Sequence, residues 1–280
     1  MSNAVFLAVL AAAAMHASWN AMVKINLDRF VSVTLMSGGM GVMALMFTPF
    51  LPFPALHVWP FILTSAAFQQ GYKLSLIKAY GAGDLAQVYP LARGSAPLLT
   101  TIGAIFLIGE YPGNWAIVGI ALLGCGTALM SLRGGGIEKL NREAIFYALA
   151  TSVFIACYTL ADGNGVRAAV SPFSYAAWLF VTDAVISQIV ALLRRGPGVF
   201  PTMVRAWKTG LGIGALSAVS YGIAMWAMSS APIGAVAALR ETSILFAMAI
   251  STLILKERLG IWRAGAGLLI VSGVIALRLA

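Results

Sequence analysis

Charge is what this sequence has least of. Only 10% of its 280 residues are Asp, Glu, Lys or Arg, while 60% are hydrophobic, too few ionic groups to clothe a soluble globule of this length. With a mean hydropathy of +0.91, the composition excludes a soluble domain and predicts an all-α polytopic membrane protein whose main partner is the lipid bilayer. Cysteine is nearly absent too. Cys125 and Cys157 each lie alone in an apolar run, so neither a disulfide framework nor a thiolate metal site is expected. The histidines are His16 and His57, and there is no HExxH, GxSxG or Walker loop. A membrane hydrolase or transferase would lack its nucleophile, metal cluster or cofactor loop. No enzyme, metal or cofactor is therefore expected.

What is present is a succession of apolar runs. Ten reach a length that can cross a bilayer: a first helix through His16, Trp19 and Met22, then roughly 31–48, 59–80, 85–108, 115–132, 144–160, 173–193, 209–228, 233–255 and 262–279. The charged, glycine-rich segment around Gly134, Gly135 and Gly136 reads as a linker. It divides the chain into a first five-helix unit, 1–133, a linker, 134–142, and a second five-helix unit, 143–280. The net charge of +9 does not point to nucleic acid, because the basic residues cluster in alternate connections between runs, the pattern of cytoplasmic anchors. On that rule both termini are expected to be periplasmic, in a bacterial inner membrane. Lys73 counts with these anchors although it falls about two turns inside its run.

The two units are related. Sliding the sequence by 147 residues places Arg93 on Arg240, Glu110 on Glu257, Gly113 on Gly260, Trp115 on Trp262 and Gly126 on Gly273. Matched Arg, Glu and Trp come from scarce residue types, so this reads as an internal duplication. An odd number of spans per copy sends the second copy into the membrane from the opposite side. The expectation is an inverted repeat with a site at the repeat interface, the architecture of many secondary transporters.

Local motifs support a family resemblance. The stretch Pro97 to Glu110, with Leu98, Leu99 and the ending Gly109-Glu110, and the later Lys256-Glu257-Arg258-Leu259 resemble the drug/metabolite transporter superfamily, in particular its EamA-type ten-helix members. Trp19-Asn20-Ala21 with Lys24, and Tyr158 at the comparable place in the sixth run, resemble it as well. The resemblance implies ten transmembrane helices as two inverted five-helix repeats. It also implies a central cavity lined by runs one, three, four, six, eight and nine, and transport by alternating access. Ile244 departs from the pattern, standing where Pro97 would be matched. The paired arginines are not general to that family, so it supplies no substrate.

The substrate reading rests on the charges inside the runs. A charge at the bilayer centre costs about 2.5 to 3.5 kcal/mol on insertion scales, so Arg93, Asp183, Arg240 and Glu241 must each face protein or a wet cavity. Three readings are open: Arg93 and Arg240 present guanidinium forks to a carboxylate, phosphate or phosphonate, or one of them pairs with Asp183 or Glu241 to neutralise buried charge, or they snorkel to an interface. Tyr89 shares a helix face with Arg93, and Gln87, Gln70, Tyr72, Trp19 and Tyr158 are candidate polar and aromatic walls of the pocket. Asp183, Glu241 and His16 are the candidates for charge compensation or proton coupling. The expected activity is secondary transport of a small anionic or zwitterionic metabolite such as an amino acid, organic acid or organophosphonate. The alternatives are an exporter of amphipathic or aromatic compounds, or a channel or non-transporting membrane partner. No feature specifies an oligomeric state.

Overall fold

A computed structural model describes residues 1–23, 28–83, 85–131, 141–253 and 260–280, and among these every regular element is a helix. In chain order they are α1 (Asn3–Val23), α2 (Arg29–Phe47), α3 (Trp59–Ala82), α4 (Leu85–Gly103), α5 (Asn114–Ser131), α6 (Arg142–Ala168), α7 (Pro172–Arg195), α8 (Val199–Arg205), α9 (Trp207–Met228), α10 (Ile233–Arg240), α11 (Ser243–Leu253) and α12 (Ile261–Leu279). Among the described residues, seven helical stretches are long and apolar enough to cross a membrane: Arg29–Phe50, Leu91–Ile108, α6, α7, α9, Ile233–Ile250 and α12.

Helix ends follow local chemistry. The Asp28 carboxylate accepts from the Phe30 and Val31 N–H groups at the start of α2, and Asn141 caps α6 in the same way. Such side chains satisfy backbone donors that the first helical turn leaves open. Pro172 opens α7 behind the Ser171 cap, where its missing N–H is harmless. Beyond α4 the chain continues through a π-helical turn, Ala104–Ile108, and stops at Gly109 with φ of 71°; only glycine adopts that conformation without strain.

The helices pack pairwise: α3 on α6, α1 on α9, α2 on α7 and α9, α4 on α5 and α6, and α5 on α12. Two crossings bring backbones closest together, α2 on α9 at Gly39, Gly210 and Gly214, and α5 on α12. A Cβ on Gly119 would lie 2.8 Å from the Gly273 carbonyl oxygen, and one on Gly273 would lie 2.8 Å from that of Gly119. Small residues let membrane helices approach to backbone contact. Outward, Leu45, Phe47, Leu63, Phe106, Phe146, Val153, Ile189 and Leu268 are exposed, an apolar surface suited to lipid.

The structure corrects the sequence reading at three places. The sixth run does not end at Leu160: α6 continues to Ala168 and carries Asp162 into the interior. Run nine is not one helix, since α10 ends at Arg240 and α11 begins at Ser243. Lys73 is no loop anchor; it is 6% exposed, inside the bundle.

Candidate functional site

Two buried polar clusters occupy the interior. In the first, Lys73 on α3 reaches Asp183 on α7, with Nζ to Oδ2 at 2.6 Å and to Oδ1 at 2.7 Å. The ammonium also donates to the Ser37 and Ser187 hydroxyls at 2.8 and 3.0 Å. Gln70, one turn before Lys73, donates to Asp183 Oδ1 at 2.7 Å and to Ser187 at 2.9 Å. Every member has partners, and α2, α3 and α7 are bound together. A buried ion pair offsets the cost of dehydration only when its remaining hydrogen bonds are made in this way.

The second cluster is built around the duplicated arginines. Arg93 on α4 grips Glu241 through two parallel bonds, Nε to Oε2 at 3.1 Å and Nη2 to Oε1 at 2.8 Å, and both residues are 5% exposed. This is the bidentate fork that arginine alone can form with a carboxylate. Arg240, adjacent in sequence to that carboxylate, goes elsewhere. Its guanidinium carbon lies 4.6 Å from the centroid of the Tyr221 ring, and among the described residues no carboxylate makes an ion pair with it. Arg240 is also more accessible than Arg93.

Chain geometry explains how Arg240 is delivered there. It stands at the end of α10, roughly 10 Å along the helix from Ile233 at 1.5 Å per residue. At the break, the Glu241 and Thr242 N–H groups bond to the Ala238 and Leu239 carbonyls, three residues back. That tightening separates the directions of Arg240 and Glu241. Discontinuous helices of this kind line the binding sites of many transporters.

Aromatic rings wall the same space. Tyr72, Tyr158 and Tyr221 form a chain of edge contacts at 5.8 and 6.0 Å between centroids. His16 meets Trp19 edge to face at 4.9 Å and lies within electrostatic reach of both Arg93 and Arg240. Beneath Tyr221 is Asp162, which is fully buried. The Tyr175 hydroxyl donates to its Oδ1 at 2.9 Å and the Tyr221 hydroxyl to its Oδ2; Ser65 supplies a further hydroxyl contact. Gly165 makes room for this arrangement, because a Cβ there would fall 2.2 Å from the Tyr175 ring.

Of the residues singled out from the sequence, Arg93, Glu241, Arg240, Tyr72, Tyr158, Trp19 and His16 therefore gather in or beside one cluster. Asp183 and Gln70 belong to the other, with Lys73. Tyr89 and Gln87 lie on α4, but their side chains fall outside the described residues, as does Glu257. Asp162, Tyr175 and Tyr221 were missed, as was the pairing role of Lys73. Asp162 stands in the stretch Asp162-Gly163-Asn164-Gly165, which reads as a loop; small residues there serve close packing inside a helix instead.

Glu110, at the end of the π-helical turn, accepts from Arg167 at 3.0 Å and from the Ile233 N–H at 3.0 Å, while Arg167 also donates to the Met228 and Ala231 carbonyls. This joins the ends of α6 and α9 to the start of α10, a structural role.

Residues 142–279 match the EamA-like transporter family. The bacteriorhodopsin of Halobacterium salinarum is 31% identical over 134 residues, covering 42% of this chain and 50% of that protein; the chain spans about half the length of this curated relative. One solved crystal structure superposes over 100% of this chain and 99% of its own with a TM-score of 0.78 at 17% identity, a likeness of fold along the whole chain.

Proposed function

Residues 142–279 of this multi-pass membrane protein are an EamA-like transporter family domain, and from that premise we propose that the protein carries a small anionic or zwitterionic metabolite, of the amino acid, organic acid or organophosphonate type, by alternating access. The observation that carries the substrate class is Arg240: a partly exposed arginine at a helix break, its guanidinium over the Tyr221 ring and without a carboxylate partner among the described residues. A cation held inside a bilayer protein is costly unless an anion or water completes its hydrogen bonding.

In this reading α10 and α11 form one interrupted span, α8 lies outside the count, and the chain crosses the membrane ten times as two inverted five-helix repeats. Packing supports the repeat. Under the 147-residue shift Gly119 corresponds to Ala266 and Gly126 to Gly273. The α5 and α12 crossing pairs Gly119 with Gly273, and Gly126 with Ala266, whose carbonyl oxygen would lie 3.0 Å from an added Cβ. Exchanging the two copies maps one contact onto the other. Orientation has similar support. Arg29 lies over Tyr80, Lys78 over Tyr147, and Arg195 on Asp28, gathering basic side chains at one end of the bundle, the cytoplasmic end by the positive-inside rule.

A second reading, export of amphipathic or aromatic compounds, is favoured by the Tyr72, Tyr158 and Tyr221 wall. Flux of the purified protein in liposomes separates these readings. Saturable uptake with counter-transport of succinate, glutamate or 2-aminoethylphosphonate, lost in Arg240→Gln, is the expected result. Saturable flux of aromatic cations that Arg240→Gln leaves intact would favour the second reading, and non-saturating conductance would make the protein a channel.

A further inference from the structure

Among the described residues three buried carboxylates face the interior, and they are not equivalent. Asp183 is closed by Lys73 and Glu241 by Arg93, each in direct ion pairs. Asp162 is held by hydroxyl groups instead: Tyr175 from α7, Tyr221 from α9 and Ser65 from α3. Hydroxyls differ from cations in one respect that matters here. Each can donate to a carboxylate or turn and accept from a carboxylic acid, so the cage remains satisfied in both protonation states. A carboxylate clamped by Lys or Arg has no such freedom.

Asp162 is also joined to the arginine site. One side chain, Tyr221, donates its hydroxyl to Asp162 and offers its ring face to Arg240, and Arg240 lies within electrostatic reach of Asp162. The groups facing Asp162 from the elements packed on α6 are Ser65 on α3, Tyr175 on α7, Tyr221 on α9 and Arg240 on α10, with Tyr158 on α6 itself; Tyr72 on α3 meets Tyr158, and Arg93 on α4 faces Glu241 and is within reach of Tyr158. Arg240 is the cation that acts on Asp162 from this set.

We propose that Asp162 is a proton-binding site coupled to anion occupancy at Arg240, so that one anion and one proton load together. The proposal rests on the reading of Arg240 as an anion contact. With the site empty, Arg93 and Glu241 cancel, and Arg240 and Asp162 cancel. A monoanion docking on Arg240 removes the positive field that holds Asp162 ionised, and a proton taken from solution onto Asp162 restores neutrality. The cluster gains no net charge, which is what a buried site requires for both loaded and empty forms to cross between access states. Linkage makes the effect reciprocal: if the anion favours protonation, protonation must tighten the anion by the same factor.

The test is calorimetric binding to the detergent-solubilised full chain: succinate, glutamate and 2-aminoethylphosphonate, each as a separate probe, at about pH 8, and glutamate, which keeps a single net negative charge throughout, from about pH 8 to about pH 5. Buffers of different ionisation enthalpy then report the protons taken up. The expected result is uptake of about one proton per monoanion, with affinity rising by up to about tenfold per pH unit. An ordinary histidine titrates in this range, and His16 lies near both arginines, so the slope must persist in His16→Asn. Asp162→Asn, permanently neutral, should bind at the wild-type low-pH affinity with no pH slope and no proton uptake. A slope that survives Asp162→Asn, or Arg240-dependent binding without proton uptake, overturns the coupling while leaving the anion site standing. Binding indifferent to Arg240→Gln, or no binding of any probe, overturns the anion reading and the coupling with it. Should Asp162→Asn fail to fold, proton uptake by the wild type and His16→Asn decides, and its absence overturns the proposal.

Discussion

Arg93 and Arg240 occupy matched positions in the two copies, yet the structure treats them differently. Arg93 is closed by a bidentate carboxylate; Arg240 is open and stacked on a ring. The cause lies one residue further on. Glu241 follows Arg240, and the matching residue after Arg93 is Gly94. A side chain at position 94 would be crowded, because a Cβ would lie 3.1 Å from the Ala128 backbone nitrogen and 3.2 Å from Thr127. The packing of α4 on α5 thus disfavours a second glutamate, and the one at position 241 crosses to the other copy's arginine. On the reading that the two copies arose by duplication, divergence at one neighbouring position leaves Arg93 paired and Arg240 without a carboxylate among the described residues.

The largest expected effect tests the structural half of that contrast. Glu241→Gln strands the Arg93 guanidinium in the interior, and removing one partner of a buried pair costs about 3 to 5 kcal/mol. A large fall in thermal midpoint of the solubilised protein is expected, whereas Arg240→Gln should hold its midpoint and lose anion binding. Equal destabilisation by both would erase the distinction between the two arginines. Arg240→Lys sharpens it further. Lysine keeps the charge but not the planar fork, and losing one charge-assisted contact costs about 1.5 to 3 kcal/mol, roughly 10- to 150-fold in affinity. Unchanged affinity in Arg240→Lys would mean that charge alone suffices.

Much of the frame was legible in the sequence, because apolar run length and the scarcity of charge are read directly by a bilayer. The shift of 147 residues named the two arginines, and Glu241 was among the candidates. Partner choice was not legible. Asp183 could have served an arginine on sequence alone; Lys73 takes it because α3 and α7 bring them within 2.6 Å. Asp162 was hidden for a different reason. Its neighbours Gly163 and Gly165 carry the signature of a loop, while in the structure they allow Ile233 and the Tyr175 ring to close on α6. The break after Arg240 had no proline to announce it.

A smaller effect is expected from the helix crossing that relates the copies. Gly273→Val forces α5 and α12 apart at the Gly119 contact, and overpacking of this kind costs about 1 to 3 kcal/mol. Gly126→Val, at the contact related to it by the exchange of copies, should cost a similar amount. A large effect at one and none at the other, read as thermal midpoints, would break the equivalence of the two copies at this interface.

The smallest expected effect comes from the basic end of the bundle, where Asp28 pairs with Arg195 at 3.0 Å on an exposed surface. Partial burial pushes the Asp28 carboxyl up, but the Arg195 guanidinium and the Val31 and Phe30 N–H groups outweigh it, and the net direction is below the ordinary carboxylate value. The sign follows from linkage: a carboxyl depressed in the folded state contributes stability above its unfolded value, and that contribution is lost as pH falls through the folded value. Both side chains are about half exposed, so solvent screening holds the pair to less than about 1 kcal/mol. Asp28→Asn keeps a side-chain oxygen for capping α2 and removes only the charge. It should therefore lower the thermal midpoint slightly at neutral pH, and the difference from wild type should vanish both in acid and at high salt. This is the opposite of what Glu241→Gln should do at its dehydrated site, where added salt has little access. A Glu241→Gln deficit as salt-sensitive as that of Asp28→Asn would place Arg93 in contact with bulk solvent, and the closed arginine would no longer be distinct from the open one.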